Sequence, residues 1–433
     1  MDLLQLVTVT ALCAMTALLA NMSASVFHDG LRPILPQVLT GNMQRKQAGS
    51  IAFGLSIGFS VSVGLSFTLS TGLLNPWLLF LPTDVLGVLI GSRWLAALAG
   101  GCWGLFVVTG LVGIEALLSV LPLDMTDLFS EMATPVITVI ALFPLLAVFK
   151  QFGWRAGVVC AMTILVARLV VVQFSGLYPE AVQMLVGTVV LFVCAIKHDL
   201  KELKNGNNPP DMSSIHGLYD ERFIQLKKHL PFLSLTGALI AVVVNAGYLA
   251  GSEVSIYPLA EAYTLQDADS RNSAIAQIAT AEALRGLGFA PLIVLAALTT
   301  GIYGMVGLTF VFVVGYISPN LLTAAVLGAI TIIVEIHLLR KISHALEAYP
   351  SLRNASDNIR DAMNVLMEFA LLVGGVLAVM KMGSTTGLCL FAVYYFLNET
   401  LGRPVLKIAA PAAATILTGL SLNLLYVLGL FAV

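Results

Sequence analysis

Apolar runs long enough to cross a lipid bilayer, roughly 17 to 25 residues each, recur from Leu3 to the last residue. A chain so built has no water-soluble fold open to it, because 58% of its 433 residues are hydrophobic and only 11% charged, too few to cover a soluble surface. The runs lack the alternating polarity of a barrel, so the fold class expected is an all-α polytopic membrane protein. No Lys or Arg precedes Arg32, which predicts that the first span is retained rather than cleaved as a signal peptide. Cys13, Cys102, Cys160, Cys194 and Cys389 are scattered through the spans without metal-ligand or disulfide spacing and read as packing residues. A net charge of −2 gives no indication of a nucleic-acid partner; the partners expected are the bilayer and a small molecule.

The longest polar interval, 197–230, holds six of the 22 Lys and Arg residues and is cytoplasmic by the positive-inside rule. It separates an N-terminal transmembrane unit, 1–196, from a C-terminal one, 231–433. About seven spans fall on each side: near 3–22, 49–70, 73–91, 94–121, 132–149, 154–173 and 178–196, then 231–250, 275–300, 301–317, 320–339, 361–381, 384–400 and 405–431. Arg45, Lys46, Arg93, Lys150, Arg155, Arg340, Lys341, Arg353, Arg360, Arg403 and Lys407 then all lie at cytoplasmic ends, and both termini are periplasmic.

An odd number of spans per unit turns the second unit upside down relative to the first, and short matches between the units occur in order. "ALCA" from Ala11 pairs with "ALIA" from Ala238, "RKQA" from Arg45 with "RNSA" from Arg271, and "GF" at Gly58 with "GF" at Gly288. "LSTGL" from Leu69 pairs with "LTTGI" from Leu298, and "LLAVFK" ending at Lys150 with "VLAVMK" ending at Lys381. Collinear matches predict two inverted-topology repeats, the architecture of secondary transporters with a site near the membrane midplane.

The segment "SVFHDGLRPILPQ" after the first span is too polar and too broken by proline to cross the membrane, which predicts a re-entrant hairpin or broken helix. Its counterpart is "GSEVSIYPLAEAYTLQDAD". Together they nominate substrate-binding residues: Asn21, Ser25, His28, Asp29 and Arg32 from the first unit, and Asn245, Glu253, Tyr257 and Glu261 from the second. Arg32 offers a planar fork for a carboxylate or phosphate, and His28 can relay a proton near neutral pH. Asp84, Asp29 and Glu282 are the coupling-ion candidates, for H⁺ or Na⁺, because ionisable groups inside a bilayer mark function by default. Glu282 and Arg285, three residues apart on one helix, are expected to neutralise each other. Glu115, Arg168 and Glu368 are further intramembrane ionisable residues, and Glu335 with His337 is expected at the cytoplasmic interface. The Ser- and Gly-rich run "AFGLSIGFSVSVGLSFTLSTG" reads as a surface for close helix packing.

There is no nucleotide-binding P-loop, no H-E-x-x-H and no G-x-S-x-G, so ATP-driven transport and the common hydrolase chemistries have no support. No resident cofactor or metal is expected. The segments "FHDGLRP" and "TGNMQRKQAG", with the mid-chain basic linker, resemble the YhfT family of bacterial inner-membrane proteins over the whole chain. The resemblance implies a transporter of the cytoplasmic membrane serving a small sugar- or amino-acid-type metabolite, and supplies no site residues. The function expected is a secondary transporter, not an enzyme, working by alternating access, with elevator movement on a homodimeric scaffold by analogy. Alternatives are a phosphotransferase-type sugar permease component, a membrane enzyme using His28, Asp29 and Glu261, and a non-transporting receptor or scaffold.

Overall fold

The computed structural model describes residues 2–174, 176–205, 213–305, 310–347 and 349–432. It is an all-helical polytopic membrane protein. Among the described residues nine helices are long and apolar enough to cross a membrane, or ten if a pair bent by 63° at His229 counts as one span.

In the first half, α1 (Leu3–Asn21) leads into a short extended strand, β1 (Ser25–Val26), a 3-10 turn at Asp29–Leu31 and α2 (Leu35–Leu39). The helix α3 (Arg45–Phe59) continues through a π-helical turn at Ser60–Leu65 into α4 (Ser66–Thr71). A shorter helix, α5 (Pro76–Leu89), follows, capped by the Asn75 side chain on the Trp77 N–H with Pro76 at its first position. Its 14 residues rise about 21 Å, short of the roughly 30 Å hydrocarbon core. Then come α6 (Arg93–Leu118), α7 (Met125–Ile140), α8 (Phe143–Phe174), broken at Gly153, and α9 (Pro179–Lys204).

The linker carries α10 (Ser213–Lys228), and α9 runs into it as far as Lys204. In the second half, α11 (Leu230–Asn245) is followed by α12 (Ile256–Thr264) and α13 (Ala268–Thr300). The strand β2 (Tyr303–Gly304), an eight-residue helix α14 (Phe310–Ile317) and α15 (Leu321–Glu347) come next. The 51-residue α16 (Pro350–Thr400) is interrupted at Gly383 and Ser384, between the two spans expected there, and α17 (Ala410–Val427) completes the chain.

The same stabilising contacts recur in both halves. Asn21 at the end of α1 donates from Nδ2 to the Gly87 and Ile90 carbonyls, and Asn245 at the end of α11 donates to those of Gly315 and Ser318. Each asparagine thereby satisfies carbonyls that a helix C-terminus leaves without intrahelical partners, at the ends of α5 and α14. The offset is 224 for the asparagines and 228 for their partners. Gly100 presses on the Cys13 carbonyl and Ala17 Cβ, and Gly328 on the Gly237 carbonyl and Ala241 Cβ; a Cβ at either glycine would lie 2.4 to 2.6 Å from them. Gly72 and Gly301 end α4 and α13 in the left-handed region, at φ +72° and +73°, where glycine pays no steric penalty. The preceding Thr71 and Thr300 hydroxyls accept from the N–H two residues on, Leu73 and Ile302, at 3.3 and 3.2 Å.

These pairs run at a different offset from the match of "ALCA" with "ALIA". The offset between α1 and α11 is 224 rather than 227, a difference of three residues that is close to one helical turn and leaves small residues facing small residues.

Two backbone clasps join the halves. β1 pairs in parallel with β2, Ser25 opposite Tyr303 and Val26 opposite Gly304, and Leu74 forms a parallel bridge with Leu249. In each clasp the segment after one half's first helix lies against the segment after the other half's glycine-capped helix. The proline-broken "SVFHDGLRPILPQ", expected as a re-entrant hairpin or broken helix, runs as strand, single turn and short helix, and the clasp supplies hydrogen-bond partners to its backbone.

The helices sort into two groups. One comprises α1, α5 and α6 packed together, α11, α14 and α15 packed together, and the α1–α11 contact between them. The other comprises α7, α8, α9, α16 and α17. Between them run α3–α4, packed on α5 and α7, and α13, packed on α9, α14 and α16. Buried Ser60, Ser62 and Ser66 sit at the π-helical turn, and Gly64 there lets the Leu78 backbone approach so closely that a Cβ would lie 2.5 Å from its nitrogen.

Candidate functional site

A cavity of about 370 Å³ lies where the two groups meet. One wall comes from the clasp region: Phe27, His28, Asp29, Gly30 and Arg32, with Trp77, Gly251, Arg285, Phe289 and Gly304. The opposite wall is α16 and the approach to α17, through Arg360, Met363, Asn364, Met367 and Leu406 to Ile408. Asn364, Leu406 and Lys407 are exposed and form the mouth, whereas Gly251, Phe289 and Gly304 are buried at the floor.

His28 caps the 3-10 turn, its Nδ1 accepting from the Gly30 N–H at 2.9 Å. An accepting Nδ1 places the proton of a neutral ring on Nε2. Both Phe27 and His28 donate backbone N–H bonds to Asp84 Oδ2, at 2.9 and 2.8 Å. Asp84, buried on α5, is thus what fixes the start of the turn. Arg32 is 2% exposed; it pairs with Asp29 and donates from Nη1 to the Ile293 carbonyl at 3.3 Å. Its guanidinium lies so close to Gly304 that a side chain there would collide with Nη2.

Arg285 of α13 makes a two-pronged bond to Glu253, Nε to Oε1 at 2.9 Å and Nη2 to Oε2 at 3.0 Å. Its guanidinium stacks 4.5 Å over the Phe289 ring. Arg285 therefore engages Glu253, not only its helix neighbour Glu282, because a planar fork fits a facing carboxylate better than one on its own helix. Arg360 pairs with Asp357 at 2.8 Å and Lys407 with Glu368 at 2.7 Å. The Nε atoms of Arg32 and Arg360 are buried and have no hydrogen-bond partner among the described residues. Phe27, Phe59 and Trp77 form a cluster with ring centroids 5.2 to 5.6 Å apart in the successive pairs.

Of the residues nominated from sequence, His28, Asp29 and Arg32 line this cavity, and Glu253 reaches it through Arg285. Ser25 is occupied by the Tyr303 carbonyl, and Asn21 and Asn245 cap the C-terminal ends of α5 and α14. Tyr257 lies against Phe67 and Ser70, and Glu261 is exposed on α12; neither lines the cavity with His28. Glu335, expected at the water interface, is 4% exposed and accepts from the buried Tyr303 hydroxyl, since α15 turns that face inward; His337 is exposed. Arg168 pairs with Glu180, and Glu115 is exposed. Arg360, Asn364 and Lys407 were not among the sequence candidates. The signal for them is the spacing Arg360, Met363, Asn364, Met367, one face of a helix carrying a charge, an amide and two soft apolar groups.

A family model described as a protein of unknown function, YhfT, matches residues 5–431. The chain belongs to the YhfT family. It is 51% identical to the Uncharacterized protein YhfT of Escherichia coli (strain K12), over 100% of this chain and 99% of that protein. No solved structure matches. The family assignment thus brings no known ligand, and the chemistry of the cavity has to be read from its own residues.

Proposed function

We propose that this protein is a secondary carrier for a small organic anion, and that the cavity between the two helix groups is its binding site. The observation that carries the reading is the cavity itself: it lies on the boundary between the groups, its walls present Arg32, Arg285, Arg360 and Lys407, and two of the guanidinium groups hold an unused buried Nε–H. An unused buried donor costs free energy until a ligand accepts from it, so the site favours an acceptor-rich guest. Phe59, Trp77 and Phe289 beside those donors suit a ligand with an apolar portion.

The doubled caps and reciprocal clasps support two inverted repeats of about seven spans, with α5 and α14 as the discontinuous members. Two halves built to one plan can exchange conformations, opening the same site to either side of the membrane by movement of the α7–α9, α16 and α17 group against the other. With Arg360, Arg403 and Lys407 at cytoplasmic ends, the mouth at Asn364 and Lys407 faces the cytoplasm. The location is then the bacterial inner membrane.

Purified protein screened against small carboxylates and phosphate esters should gain thermal stability with at least one of them, and proteoliposomes should exchange that compound in counterflow. Arg360→Ala, removing a charged hydrogen bond of about 1.5–3 kcal/mol, should weaken that binding roughly 10- to 150-fold. Stabilisation by no anion, together with absence of counterflow, refutes the carrier reading.

A further inference from the structure

The two clasps follow one plan but differ in chemistry. At the offsets that relate the halves, 224 between α1 and α11, 229 between α4 and α13 and 228 between α6 and α15, the residues Ser25, Tyr303 and Glu335 correspond to Leu249, Leu74 and Val107. Those three apolar residues are buried. The architecture is thus satisfied in one half by two leucines and a valine, and does not itself call for polar groups at these positions. In the other half the Ser25 hydroxyl donates to the Tyr303 carbonyl at 2.8 Å, and the Tyr303 hydroxyl donates to Oε2 of Glu335 on α15. Oε1 of Glu335 is buried and has no hydrogen-bond partner among the described residues.

Tyr303 is also the titratable group that acts on Glu335, and no charged side chain among the described residues does so. The helices packed on α15 are α10, α11, α13, α14 and α16. On α10, Arg222 lies against Gly301 and donates to Gln225 at 3.2 Å, and the other charged residues are exposed. No residue of α11 is ionisable. Arg285 of α13 is held by Glu253, Glu282 of α13 meets the Ser252 hydroxyl, Tyr316 of α14 accepts from the Gly251 N–H, and Arg360 of α16 pairs with Asp357. On α15 itself, His337 and Lys341 are exposed. A buried carboxylate with no cation beside it is costly, and one hydroxyl does not repay the lost hydration; a carboxyl so placed keeps its proton. The pair also reaches the cavity. Gly304, next to Tyr303 in β2, lies against Arg32, and the Arg32 charge acts on the Tyr303 phenol from the side away from Glu335's own helix.

We propose that Glu335 is the proton-carrying carboxyl of this protein, and that Tyr303 links its proton to the anion site at Arg32. The proposal rests on the carrier reading for its purpose, though its chemistry stands alone. On release the Glu335 O–H bond breaks, the electron pair stays on the carboxylate and the proton passes to water. The carboxylate then depends on the Tyr303 hydroxyl, a donor that the positive charge of Arg32 strengthens. An anion bound at Arg32 cancels part of that field and weakens the donor, so the proton stays on Glu335 while the anion is in place. Anion and proton therefore occupy the protein together, and the coupling ion is H⁺ rather than Na⁺.

Infrared spectroscopy on the purified protein without substrate reads the carbonyl stretch of protonated carboxylic acids, identified by its shift in D₂O. At neutral pH, Glu335→Gln should remove one component of that band, and Tyr303→Phe should move the same component to higher frequency, because its carbonyl oxygen loses a donor. Glu115→Gln, at an exposed carboxyl, should change neither. On titration with base, the component should persist about one pH unit higher in Arg32→Gln, a tenfold change in proton affinity, and Arg32→Lys should restore the native midpoint. If Arg32→Gln fails to fold, the midpoint in Tyr303→Phe takes its place and should rise likewise. A band unchanged in Glu335→Gln, or in Tyr303→Phe when Glu335→Gln does not fold, overturns the assignment. An unchanged midpoint overturns the link to Arg32. Failure of the carrier reading shows separately, as absent counterflow with the infrared component intact.

Discussion

Asn21→Ala and Asn245→Ala should destabilise the protein equally while leaving its ligand affinity unchanged. Each side chain donates to two carbonyls at the end of another helix, Gly87 and Ile90 in one case, Gly315 and Ser318 in the other. Truncation removes two hydrogen bonds. At about 0.6 kcal/mol for an average interhelical bond in a membrane protein and about 1.7 for the strongest, the loss is roughly 1–3 kcal/mol per variant. The carbonyls left behind belong to helix ends buried in protein, so water cannot restore the full value. Unfolding in mixed micelles containing a denaturing detergent, followed by helical circular dichroism, measures the loss directly. The two sites share no partner, and the double variant should add the single losses to within about 0.5 kcal/mol. Two results would refute the reasoning. One is a large loss at one asparagine with none at the other, which would break the correspondence between halves. The other is a selective loss of anion binding at full stability, which would return both residues to the site.

The clasp and the helix boundaries give two further expectations. Gly304→Ala places a methyl group where the Arg32 guanidinium lies, and the overpacking should cost about 1–3 kcal/mol and lower anion affinity more than Asn21→Ala does, as read by thermal shift with and without ligand. Asp267 caps α13 outside the membrane span, accepting from the Ser270 N–H at 2.8 Å and hydroxyl at 2.6 Å, and these bonds hold its carboxyl below the ordinary value. A carboxyl lowered in the folded state contributes above its unfolded pKa and loses that contribution as pH falls through the folded one. Protection of the first-turn amides of α13, their exchange relative to the intrinsic rate at each pH, should therefore fall only at acid pH in the native protein, and be low already at neutral pH in Asp267→Ala.

Much of the architecture was legible because a bilayer allows few solutions. Breaks in apolarity located most helices, and "LSTGL" with "LTTGI" marked two helix ends whose glycine and threonine do the same work. His28, Asp29 and Arg32, conspicuous in the sequence as charges beside an apolar span, line the cavity. The rest was hidden for a related reason. Arg360 and Lys407 lie near helix ends, where a basic residue reads as a topology marker whether it faces headgroups or a cavity. Asn21 and Asn245 read as ligands because a polar side chain in an apolar run advertises a function, and capping the carbonyls of another helix depends on packing that sequence spacing does not encode. The pairing of Arg285 with Glu253, 32 residues away, in addition to its neighbour Glu282 is likewise a matter of direction rather than spacing.

The β1–β2 clasp also bears on how such a chain is made. Ser25 finds its hydrogen-bond partner 278 residues later, at the Tyr303 carbonyl, and the Ala24 carbonyl waits for the Tyr303 N–H. While the ribosome is still producing the intervening helices, the segment after α1 has no second strand, and bare backbone is poorly tolerated in hydrocarbon. The first half therefore reaches its final form only after the second has entered the bilayer. Contacts of such sequence separation close late and slowly. Either half synthesised alone lacks the strand that completes it, and the two made as separate chains carry, in those few residues, the means to find each other.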